Sequence, residues 1–227
     1  MSWPPPFPTP PADEAALLRC AEGLTGRTLG ELAQWLGRAL PARPERAKGW
    51  MGQLMEAALG APPSNEAGPD FAALGVELKT LPVDLQGVPR ASTFVCQAPL
   101  DLRLSASWSE SRPKAKLSRV LWVPVVGEAP LPERRVGACF LWRPAPDEED
   151  LLRADYEEIA ELVHAGQANR ISARVGRALQ LRPKAADNQR ETWVVDAAGG
   201  WMTAQPRGFY LRRSFTHALL GRRFLLT

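Results

Sequence analysis

The chain reads as an α/β protein, a mixed sheet flanked by helices. Apolar residues recur at helical spacing at both ends, as Leu17, Leu18, Ala21 and Leu24, and again as Leu152, Tyr156, Ile159 and Val163. Between them lie short segments of strand character: Val76-Glu-Leu-Lys79, Thr93-Phe-Val-Cys96 and Val120-Leu-Trp-Val-Pro-Val-Val126. Gly and Pro separate these segments, as turns require.

The totals narrow the class. At 227 residues the chain can bury a full core as one domain. Apolar content is 45% and charged content 23%, ordinary for a globular protein. Net charge is only +3, so any nucleic-acid surface must come from local clusters of Arg and Lys. Cys20, Cys96 and Cys139 are scattered and odd in number, which fits a reducing cytoplasm rather than a disulfide framework. Two histidines without a paired-cysteine motif argue against zinc. No phosphate-cradling or dinucleotide glycine motif occurs, and no apolar run approaches a membrane span. The proline-rich start, residues 1–11, reads as an extended arm rather than a signal peptide.

Taken in order, Asp13 is placed to cap the first helix, and Thr28-Leu-Gly-Glu31 forms a capping box for a second. A third helix is expected from about Lys48 to Leu59, stopped by Gly60, with Trp50, Leu54, Met55, Ala58 and Leu59 on its apolar arc. Val83 to Ala91 reads as a turn. The strand that follows, Ser92 to Ala98, is expected to pair antiparallel with the strand before it. Val120–Val126 reads as a buried strand and Ala138–Trp142 as another. A long helix from about Glu148 to Ala165 carries acids in its first turn, where the helix dipole favours them. Ile171 to Arg182 reads as two short strands about Gly176, and Gly208–Leu211 as a further strand. Thr216 is expected to cap a last helix with Leu219, Leu220 and Phe224 on its apolar side.

One stretch carries chemistry. In Asp70-Phe-Ala-Ala-Leu-Gly-Val-Glu77-Leu-Lys79, a strand puts Glu77 and Lys79 on one face and Val76 and Leu78 on the other. Asp70 can reach the same place if the chain turns at Gly75. Two carboxylates with a backbone carbonyl and waters suit Mg²⁺, and an adjacent ammonium can orient a water and offset charge on a phosphate. This is the acid–acid–lysine arrangement of restriction-endonuclease-like nucleases. A surface Glu/Lys pair on an amphipathic strand is the other reading of the bare pattern.

The run from Asp70 to Asp84 closely resembles the corresponding segment of the MutH family, strand-nicking endonucleases of methyl-directed mismatch repair. So do Lys48-Gly-Trp-Met-Gly52, Thr93-Phe-Val-Cys96, Arg119-Val-Leu-Trp-Val-Pro124, Arg182-Pro-Lys-Ala-Ala186 and Pro206-Arg-Gly-Phe-Tyr-Leu211. These blocks follow the family's order and span most of the chain. The resemblance implies a single endonuclease domain over 1–227, with a restriction-endonuclease-like fold in two lobes around a DNA cleft. It implies Asp70 and Glu77 as Mg²⁺ ligands, Lys79 beside them, and Glu56 and Lys116 as further groups of the active site. Lys48, Phe94, Arg182, Pro183, Lys184, Arg207 and Tyr210 become DNA contacts. Arg182 to Lys184 would read the GATC site, and Tyr210 would meet the adenine whose methylation is sensed. On their own, Glu56 and Lys48 read as solvated side chains, and Phe94 and Tyr210 as core aromatics. The implied reaction nicks the unmethylated strand of hemimethylated GATC and leaves a 5′-phosphate. MutL is the implied activator, responding to MutS, and the implied state is a monomer. Two alternatives stay open: a GATC-specific restriction endonuclease cutting both strands, and a methylation-sensitive DNA-binding module that does not cut.

Overall fold

The computed structural model describes residues 10–43, 47–62, 68–101, 103–127, 129–168, 171–172, 174–183, 192–195, 198 and 200–224. The chain divides into two units, Met1–Arg90 with Ser118–Arg143, and Ala91–Leu117 with Pro144–Thr227.

The first unit packs three helices on one face of a mixed sheet. Helix α1 (Glu14–Leu24) starts where the Asp13 carboxylate accepts from the Ala16 N–H at 2.7 Å. Helix α2 (Leu29–Trp35) carries the full capping box between Thr28 and Glu31, which satisfies two end N–H groups at once. Helix α3 (Ala47–Ala58) ends before Gly60, at φ 72°. Strand β1 (Glu77–Val83) pairs parallel with β3 (Val120–Val126). β3 also pairs antiparallel with β4 (Arg135–Val136) and β5 (Phe140–Trp142). Leu17, Leu32, Leu54 and Met55 from the helices meet Leu78, Leu121, Val123 and Val125 from the strands in one buried cluster. Each such side chain contributes about 1.5–3 kcal/mol by leaving water.

The second unit holds an antiparallel sheet ordered β2 (Thr93–Ala98), β9 (Arg207–Leu211), β6 (Leu179–Pro183). Helix α4 (Arg112–Leu117) packs on β2, and helix α5 (Pro146–His164) on β6. Tyr156 of α5 sits 5.4 Å from the Phe209 ring and 5.6 Å from the Trp108 ring, and its hydroxyl donates to the Ser105 carbonyl at 2.7 Å. Strands β7 (Thr192–Val195) and β8 (Trp201–Ala204) form a separate antiparallel pair. Helix α6 (Arg213–Phe224) follows β9, and its Arg222 pairs with Glu148 at the start of α5.

Four expectations need correction. The strand from Ser92 does not pair with β1: it is β2, whose partner is β9. After β1 the chain folds back once, with the Arg90 N–H on the Pro82 carbonyl, and Pro89 then supplies no N–H to extend a ladder. The parallel partner of β1 needs a long crossover, and that crossover carries β2 and α4 into the other unit. Ile171 to Arg182 holds one strand rather than two, since Ile171 and Ser172 lie in irregular chain before β6. Thr216 does not cap α6. It lies inside that helix, where its hydroxyl bonds the Arg213 carbonyl at 3.1 Å, and Phe224 is exposed rather than buried. Helix α4 lies in a polar, basic stretch with no apolar periodicity to mark it. Its signal is Ser111 ahead of Pro113, and the Ser111 hydroxyl accepts from the Lys114 N–H at 3.1 Å.

Candidate active site

The site in the first unit is built by a tight reversal ahead of β1. Phe71 and Val76 bridge antiparallel through bonds of 2.9 and 3.3 Å. Between them lies one 3-10 turn, Ala72–Leu74, closed by Gly75 at φ 64° and ψ 25°. That left-handed conformation is open to glycine and costs other residues about 1 kcal/mol or more. The reversal returns Asp70 to the start of β1, where its Oδ2 accepts from the Leu78 N–H at 2.8 Å. Glu77 opens the parallel ladder by donating its N–H to the Arg119 carbonyl at 2.9 Å. The pleat turns Leu78 into the helix-side core and sends Glu77 and Lys79 to the opposite face. Their register partners Val120 and Trp122 share that face, both fully buried.

Glu77 is 3% exposed, yet it is a carboxylate. Lys79 makes this tolerable: its Nζ donates to Glu77 Oε1 at 2.6 Å. The Asp70 carboxylate therefore sits on the backbone N–H of the residue between Glu77 and Lys79, and those two side chains pair with each other. Helix α3, which bears Glu56, packs against β1. Among the described residues no three of His, Cys, Asp and Glu form a metal-holding group, so Glu56 does not complete a triad with Asp70 and Glu77. Lys48 lies on the first turn of α3, its side chain outside the described residues.

The second unit gathers a different set. Phe94, Tyr210 and Gln180 lie in one cross-strand row. The Phe94 and Tyr210 rings meet edge to face, 5.3 Å apart at 67°. The Arg182 guanidinium stands 5.9 Å from the Tyr210 ring, and its Nη1 donates to the Ser92 hydroxyl at 2.7 Å. Burial pushes the Tyr210 hydroxyl up from its ordinary pKa, and the nearby Arg182 charge acts in the other direction. Pro183 ends β6 in an exposed position, and Lys184 lies outside the described residues. Arg207 is half-buried, which lowers its pKa, and its Nη1 is bonded to the Ile171 carbonyl at 2.6 Å.

Lys116 lies in the last turn of α4. A cluster that sequence reasoning missed anchors this helix: Lys114 pairs with Glu149, and Trp108 Nε1 donates to the same Glu149 oxygen at 2.6 Å. The contacts of Ser92, Glu149 and Asp155 are likewise not legible in the sequence, because each matters through a partner distant in the chain.

A sequence model described as the DNA mismatch repair enzyme MutH matches residues 59–155, the stretch that contains Asp70, Glu77, Lys79 and Lys116. The chain is also 51% identical over 223 residues to the DNA mismatch repair proteins MutH of Salmonella paratyphi A, Salmonella paratyphi C and Salmonella choleraesuis, covering 97% of this chain and 96% of each relative.

The chain belongs to the MutH family.

It is a DNA endonuclease of mismatch repair. Both clusters fall within the span shared with the MutH relatives, the carboxylate pair on β1 and the aromatic row on β2 and β9. No described helix is long and apolar enough to cross a membrane.

Proposed function

We propose that this MutH-family endonuclease nicks the unmethylated strand of hemimethylated GATC sites, 5′ to the G. The observation that supports the reading is the Asp70 carboxylate on the Leu78 N–H at the head of β1, where the Lys79 ammonium stands 2.6 Å from the neighbouring Glu77. A donor set of two carboxylates without sulfur or imidazole suits a hard divalent cation. Mg²⁺ is commonly held by one or two carboxylates, with substrate phosphate and water filling the other positions, so no third acid is required.

When bound, the ion supplies Lewis-acid polarisation of the phosphodiester and a more acidic water. The chain's own groups do the rest. Asp70 and Glu77 would hold the ion. Lys79, already hydrogen-bonded to Glu77, turns toward the attacking water and holds it in line, and Lys116 adds a cation toward the phosphate. Glu56 is an auxiliary acid. Lys48, Phe94, Arg182, Pro183, Lys184 and Arg207 contact the duplex, the arginines and lysines through phosphates and guanine edges. Tyr210 meets the adenine, where an N6-methyl group takes up space and removes a donor hydrogen. The chain works as one domain and as a monomer in the cytoplasm, and MutL activates it in response to MutS.

The deciding assay uses plasmid with Mg²⁺ and unmethylated, hemimethylated or fully methylated GATC. Nicked circles from hemimethylated plasmid, and none from fully methylated plasmid, are expected. Linear product as the primary outcome replaces the proposal with a restriction enzyme, and binding without product replaces it with a DNA-binding module.

A further inference from the structure

β2 and β9 do not pair evenly. Phe94 faces Tyr210, but the next partner of Phe209 is Cys96, so Val95 is an extra residue that bulges β2. A bulge twists its strand and re-aims the neighbouring side chain. Here Phe94 leans along β9 from Tyr210 toward Gly208, two residues back on the same face. A Cβ built on Gly208 would stand 2.7 Å from Phe94 Cε2, 3.4 Å from Cδ2 and 3.0 Å from the Cys96 carbonyl. The ring therefore occupies the volume that any other residue at 208 would need. Gly208 has an ordinary backbone conformation and takes no part in the reaction proposed above. What it supplies is the missing side chain.

One ring thus makes both contacts: Phe94 meets Tyr210 edge to face and lies over Gly208. On the Tyr210 ring's other contact, Arg182 is fixed by Ser92. We propose that Gly208 is a specificity-determining position: by lacking a side chain it seats the Phe94 ring, which holds Tyr210 where a methyl group on adenine is detected. The inference rests on the reading of Tyr210 as the methyl sensor.

The experiment measures Mg²⁺-dependent nicking rates on the unmethylated and methylated strands of one GATC duplex, using the full chain. Gly208→Ala is expected to lower the ratio of the two rates by about tenfold or more. Tyr210→Ser is expected to remove the ratio, and adding Gly208→Ala to it to change nothing further, because residues acting through one contact are not additive. A Gly208→Ala protein that keeps its ratio, while Tyr210→Ser loses it, overturns the inference and leaves the sensor reading standing. A Tyr210→Ser protein that keeps its ratio removes the sensor reading and the inference with it. Should Gly208→Ala fail to fold, Gly208→Ala with Phe94→Leu removes the shorter of its contacts, the ring at 2.7 Å, and leaves the Cys96 carbonyl at 3.0 Å. Its ratio should stay low, since the ring edge is gone, and a full ratio there overturns the proposal.

Discussion

A carboxylate buried to 3% exposure beside a lysine is costly to keep, and the cost identifies what each partner does. Removing one member of such a pair leaves the other charged and dry, a loss of about 3–5 kcal/mol, while removing both can be close to neutral. Glu77→Gln is therefore expected to lose at least about a thousandfold in nicking and to unfold at lower urea concentration. Glu77→Gln combined with Lys79→Met should recover most of the urea midpoint and none of the activity. Gel-shift binding without metal should persist in both proteins. Activity that returns along with stability would move the chemistry away from Glu77. Asp70 is also held by the Leu78 N–H, so its position depends on the backbone reversal at Gly75.

Whole elements are held by single acids. Asp155, buried on α5, accepts from the N–H groups of Arg177, Ala178 and Leu179 at 2.8, 2.6 and 2.8 Å, at the point where β6 begins. Asp155→Ala strands those donors and is expected to cost about 3 kcal/mol, with faster amide exchange through Leu179–Pro183 than elsewhere in the unit. Uniform acceleration across the unit would show that Asp155 stabilises the unit and not the strand alone. Glu149 ties α4 to α5 in a similar way. Burial by itself raises its pKa, but the hydrogen bonds from Lys114 and Trp108 outweigh burial and hold it below the usual carboxylate range. A depressed carboxylate stabilises the fold above its unfolded pKa, and that stability is lost as pH falls through the folded value. Glu149→Gln should cost about 1 kcal/mol at neutral pH, a modest figure because the pair is partly exposed. The gap between parent and variant should close as pH falls through that lowered value. A gap independent of pH would assign the loss to packing.

At the scale of the molecule, a net charge of +3 is small for a protein that grips a polyanion. Binding must then rest on a limited set of phosphate contacts, each displacing counterions. The DNA affinity of Lys116→Ala should fall, and the slope of log affinity against log salt should become shallower by about one. An unchanged slope with reduced nicking would give Lys116 a role at the reacting phosphate only in the transition state.

Local pattern alone determined a good deal. Capping residues at Asp13 and Thr28, helical spacing in α1 and α5, and the alternation of Glu77 and Lys79 with Leu78 all act within a few residues of chain. Even the return of Asp70 was legible, because glycine at 75 permits the one backbone conformation that closes the turn. Strand partnership was not legible. Whether β2 joined β1 or β9 depends on which faces are buried when distant segments meet, and a Pro-containing turn looks the same in either case. For the same reason the seating of Phe94 over Gly208, and the grip of Glu149 on Lys114 and Trp108, emerged only from the folded chain: each is a contact between residues that no periodicity relates.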